Sequence, residues 1–201
     1  MLWHGLSWLL HPIWLPMVSA ALLFRFQPFL HAHFPAQMAW RIAGSIGLFT
    51  AVVPGILLLM MRSLGWVESL NVERRSDRKF LLFVSVVAHY FSFQLLKNSV
   101  PVSAIHVLLL GSLVATALTF LVNLIYKISL HAVGWGGMAG MVIGLWPTGI
   151  LYFFLVFCSA LLLGGLALTA RRALGAHSWG EIGLGYLLGF SVFALCFQWF
   201  G

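Results

Sequence analysis

Seven apolar runs, divided by short polar breaks, leave this chain few ways to fold in water. They are approximately Leu6–Phe26, Ala43–Met61, Phe80–Leu96, Val100–Ile125, Ala132–Leu145, Pro147–Leu168 and Gly183–Phe200. A helix needs roughly 20 apolar residues, within about 17–25, to cross a bilayer. The fifth run is the shortest and is rich in glycine. Only 7% of the residues are charged, against about a quarter in an average soluble domain. So few charges cannot cover a water-facing surface. The expected fold is all-α: a polytopic transmembrane helical bundle of six to seven spans, with a site at one membrane interface. Residues 1–201 are read as one domain, the first two spans (1–62) peripheral and 63–201 forming the motif-bearing core.

The net charge of +7 does not read as nucleic-acid binding, because the cations sit at the ends of apolar runs and form no solvated stripe. Anchoring at anionic headgroups and capture of an anionic substrate both fit. Cys158 and Cys196 lie inside apolar stretches and read as packing residues. There is no Lys or Arg before Arg25 and no small-residue cleavage site after a short apolar core, so a cleaved signal is not expected. Gly136, Gly140 and Gly144 form one row at four-residue spacing, and Gly185 and Gly189 another. Such rows let helices approach closely in lipid. They are read as contacts inside one chain, a homodimer interface being the other use.

If every run crosses, parity puts three polar segments on one side: Arg62–Lys79 after two crossings, Lys127–His131 after four, Arg171–Glu181 after six. Only Arg25, Arg41 and Lys97 fall opposite. Lys and Arg then favour a cytoplasmic site, but Arg75, Arg78 and Arg171 also suit catalysis, so orientation stays open.

Ionisable groups clustered in a membrane chain are a functional-site hypothesis. His177 and Glu181 are four apart and share a helix face. A carboxylate on one imidazole nitrogen fixes the tautomer and frees the other as base or nucleophile. A phosphoryl group is a fitting acceptor for a histidine nucleophile. Arg171 can bind phosphate oxygens in bidentate fashion. His131 can protonate a leaving alkoxide. Lys127, Ser129, Arg75 and Arg78 can add donors that stabilise the transition state. His4, His11, His31 and His33 read as headgroup residues. His89 and His106 read as makers of one interhelical hydrogen bond each.

The segment Arg171-x5-His177-x3-Glu181 resembles the third signature, S-R-x5-H-x3-D, of the type-2 phosphatidic acid phosphatase superfamily. Ile128-Ser129-Leu130-His131 is similar to the second, P-S-G-H, with Ile and Leu in place of Pro and Gly. Arg75-x2-Arg78 stands in for the first, K-x6-R-P. Ala170 replaces the serine of the third. The resemblance implies a metal-independent phosphatase that needs no cofactor and acts on a lipid phosphate among membrane lipids. The expected location is a bacterial inner (cytoplasmic) membrane, which the chain crosses several times. His177 would be the nucleophile, Glu181 its orienting acid, His131 the general acid, and Arg171, Arg75, Arg78, Ser129 and Lys127 the phosphate ligands. A lateral opening between helices would admit acyl or prenyl chains.

Two other readings compete. One is a degenerate relative that binds or moves an anionic lipid without hydrolysis. The other is a zinc or iron site of His131, His177 and Glu181, which the surrounding cations would oppose.

Overall fold

The computed structural model describes residues 2–67, 75–98, 100, 103–145 and 151–200, without the side chains of residues 75, 76 and 151–153. Glu68, Glu73 and Arg74 therefore lie outside the described residues, as does the Arg75 side chain. No strand occurs among the described residues. The helices are α1 (Leu2–Leu9), α2 (Leu15–Phe26), α3 (Pro28–His33), α4 (Ala36–Gly47), α5 (Val53–Ser63), α6 (Arg75–Lys97), α7 (Ser103–Ile125), α8 (Leu130–Leu145), α9 (Leu151–Ala173) and α10 (Trp179–Phe200). Six stretches are long and apolar enough to cross a membrane: Leu2–Phe26, Ala36–Ser63, Asp77–Lys97, Ser103–Ile125, Phe154–Ala173 and Trp179–Phe200. The protein is thus an all-α, multi-pass membrane bundle.

Prolines shape the first two stretches. A 3-10 turn at Pro12–Trp14 separates α1 from α2. A π turn at Leu48–Val52 joins α4 to α5 just before Pro54, which has no backbone N–H to continue the ordinary ladder.

The Gly-rich helix α8 has 16 residues, so it is about 24 Å long. It need not match the bilayer alone, because most of its residues are buried against its neighbours. Its closest partner is α10. A Cβ at Gly136 or Gly140 would strike the carbonyl oxygen of Tyr186 or Phe190, and one at Gly189 would strike that of Val133. Both glycine rows therefore serve contact within the chain. In lipid this is the term that holds helices together, since tails are as apolar as leucine.

Elsewhere Leu23, Ile46, Ile105, Leu108, Met141 and Val142 fill the centre. Leu59, Phe83, Leu121, Leu162 and Leu187 point outward, as a lipid-facing surface requires. Trp3, Trp8, Trp14, Trp40, Trp66, Trp179 and Trp199 are all exposed, in keeping with interfacial anchoring.

Candidate functional site

The third polar segment is shaped by two helix ends. α9 closes in a Schellman motif: Ala176 N donates to Arg171 O at 3.1 Å and Gly175 N to Arg172 O at 3.0 Å. Gly175 supplies the left-handed residue this requires, with φ of 67°. Three residues later Ser178 caps α10. Glu181 N donates to Ser178 Oγ at 3.3 Å, and Ser178 N donates to Glu181 Oε2 at 3.4 Å. This reciprocal capping box fixes the Glu181 side chain. The same Oε2 lies 2.7 Å from His177 Nδ1. His177 is buried between the two helix ends.

The second polar segment is used differently. Lys127 Nζ donates to Ala176 O at 2.9 Å, which ties the two segments together. Ser129 is fully buried. Its Oγ accepts from Ala132 N at 3.4 Å, and its own N donates to Glu181 O at 3.2 Å. It is the N-cap of α8. Neither Lys127 nor Ser129 lines the cavity described below. His131, in the first turn of α8, does.

From α6, Arg78 is buried and reaches both segments. Its guanidinium donates to Ile128 O at 3.0 Å and lies 3.5 Å from His177 Nε2. Arg78, Lys127 and His177 thus meet at one end of the bundle, as the parity argument requires.

The first helix, grouped with the peripheral spans on sequence grounds, closes the arrangement. Arg171 donates to Ser7 Oγ at 3.2 Å. His131 Nε2 lies 3.1 Å from the Ser7 carbonyl, which it can only meet as a donor, and 3.4 Å from Ser7 Oγ. The His11 and His131 rings meet edge to face at 5.0 Å. His11 is therefore not a headgroup residue: the 3-10 turn bends it inward. Among the described residues His89 makes no bond across helices; its Nδ1 donates to Ser85 O on its own helix at 2.7 Å. His106 Nε2 is buried without a hydrogen-bond partner among the described residues.

These side chains enclose a cavity of about 50 Å³, lined by Ser7, Trp8, His11, Arg78, Leu130, His131, Arg171 and His177. None of the described lining side chains is acidic. The cavity also lies at the N-terminus of α8, where the helix dipole favours negative charge. Burial, with the charges of Arg78, Arg171 and Lys127 added, pushes the His177 imidazole down to about 3. Its ring is neutral near pH 7, so the proton on Nδ1 faces Glu181 and the lone pair on Nε2 faces Arg78. An anion with several acceptor oxygens matches this lining. The candidate metal trio is not assembled: among the described residues no three His, Cys, Asp or Glu side chains converge.

Sequence reasoning missed Ser7 and His11, which no local spacing links to residues more than a hundred positions away. It also passed over the capping box, which the Ser178-x2-Glu181 spacing carries openly. No protein-family model matches the chain, and neither curated proteins nor solved structures give a match.

Proposed function

We propose that this chain is a divergent member of the type-2 phosphatidic acid phosphatase superfamily. It hydrolyses the phosphomonoester or diphosphate of a lipid in a bacterial inner membrane, through a phosphohistidine and without metal or cofactor. The observation that carries the reading is His177, held by Glu181 at Nδ1 with Nε2 turned toward Arg78 beside a cationic cavity.

In this mechanism phosphate oxygens take N–H donors from Arg78 and Arg171, which stabilise the charge of the transition state. His177 Nε2 attacks phosphorus. The bond from phosphorus to the lipid oxygen breaks, and its electron pair stays on that oxygen. His131, which takes up a second proton together with the phosphate anion, gives its Nε2 proton to that oxygen and is left as a neutral ring, releasing a lipid alcohol, or a lipid monophosphate from a diphosphate. Glu181 stabilises the positive ring formed on phosphorylation. His131 then takes a proton from water, the hydroxide displaces the imidazole, and inorganic phosphate leaves. Both histidines return to their starting states.

The test is phosphate release from a panel containing phosphatidate, phosphatidylglycerol phosphate, a prenyl diphosphate and a lipid A phosphate, in detergent. At least one should be hydrolysed, with inhibition by vanadate. His177→Ala should lose at least ~10³-fold in rate. No release from any member, or undiminished release in the variant, would refute the reading.

One observation favours non-hydrolytic binding or movement of an anionic lipid: Ser7, which no step above uses, holds both Arg171 and His131. Lipid binding that survives His177→Ala, with no wild-type hydrolysis, would select that reading.

A further inference from the structure

A second cavity, of about 210 Å³, adjoins the polar one and shares His11 and Leu130 with it. We infer that it is the binding site for the hydrocarbon chain of the lipid whose phosphate occupies the polar pocket. The inference rests on the phosphate reading of that pocket.

Three helices give the cavity direction. On α8 it is lined by Leu130, Val133, Gly134 and Met138, and on α6 by Leu81, Leu82, Ser85 and His89. Both helices begin at the site end and run away from it. Arg78 precedes the α6 stripe by one turn. Each stripe covers eight residue steps, about 12 Å of helix. On α7, which runs the other way, Thr119, Thr116 and Ser112 follow the same path. The cavity thus starts where the guanidiniums stop and extends toward the middle of the membrane.

Its wall suits a chain and not a headgroup. No Lys or Arg is among the described residues lining it. The hydroxyls of Thr50, Ser85, Ser112, Thr116 and Thr119 each donate to the carbonyl four residues earlier. His89 gives its Nδ1 proton to Ser85 O. With these protons turned back onto their own helices, the surface offered is largely methyl, methylene and ring carbon. Phosphate therefore stays with Arg78 and Arg171, and the chain enters the bundle. Pro12 and Ile13 form part of the same wall, and His11, the N-cap of their 3-10 turn, lines both cavities.

The experiment compares butyl, octyl, dodecyl and hexadecyl phosphate as substrates for wild type, Thr116→Phe and Ser85→Leu, which fill the cavity. Leu121→Phe, on the lipid-facing side of α7, is the control. In wild type and control, KM should fall at least about tenfold from butyl to dodecyl, since each buried methylene adds affinity. The cavity-filling variants should lose that gain, with KM nearly flat from butyl to dodecyl phosphate and a melting temperature in detergent close to that of the control. An unchanged chain-length profile in both variants, with wild type active, would overturn the inference and leave the phosphatase reading intact. Should wild type hydrolyse neither these esters nor any member of the lipid-phosphate panel, the phosphatase reading fails instead. A hexadecyl phosphonate with a mid-chain diazirine then decides: adducts on α6, α7 and α8 cavity residues support the chain site, and adducts confined to outward positions such as Leu121 overturn it.

Discussion

The two polar segments that meet at the site put their side chains to unequal use. Residues 171–181 send two groups into the cavity, Arg171 and His177. They aim them with local devices, the Gly175 turn and the Ser178–Glu181 cap. Residues 127–131 send one polar side chain, His131, beside the apolar Leu130. Lys127 and Ser129 hold backbone at Ala176 and Ala132. One segment is mainly chemistry held by caps, and the other is mainly a cap that delivers one histidine. The lesson is that a polar residue next to a helix start is claimed first by the orphan N–H and C=O groups there. What remains is available for a ligand.

The sharpest way to break this comparison lies within the second segment. His131→Ala should reduce phosphate release by about 10²–10⁴-fold, the range for a lost acid–base group. Equal losses in Ser129→Ala at unchanged stability would return Ser129 to the phosphate and erase the contrast.

Glu181→Gln comes next. Glutamine keeps the capping geometry but not the charge facing His177. Turnover should fall by about 10²-fold with little change in melting temperature. A large melting loss would mean that the carboxylate serves the fold more than the site.

A third test uses pH and no substrate. His177 has a folded value near 3 against an ordinary 6.5, so between those values the unfolded chain binds more protons. Its contribution to stability is therefore full above pH 6.5 and is lost progressively as the pH falls toward 3. The melting temperature in detergent should drop over that window, and less steeply in His177→Gln. Parallel curves would show that the histidine is not held neutral.

The smallest effect belongs to the caps. Ser129→Ala should cost about 1 kcal/mol, as N-cap loss usually does, read as a modest fall in thermal midpoint with rate per folded molecule preserved.

The spans were legible because hydropathy over some twenty residues is a one-dimensional signal. His177 and Glu181 were legible because four-residue spacing is local helix geometry. Parity joined Arg78, His131 and His177, since each crossing simply alternates sides. The roles given to Lys127 and Ser129 were not legible, because donors to backbone and donors to phosphate are the same residue types. Ser7 and His11 were hidden for another reason. Their placement depends on how α1 docks against α9 and α8, through a turn set by Pro12 and the contact of Gly134 with Pro12 and Leu15.

The backbone contact between α8 and α10 has a mechanical consequence. With carbonyls seated against glycine Cα atoms, those two helices cannot slide or rotate past each other without collision, so His131 and His177 ride on a single stiff frame. On the proposed lipid-phosphate reading, an opening for the headgroup has to be made outside this frame, and α1, which borders the cavity through Ser7 and Trp8, is the neighbouring wall that does not belong to it.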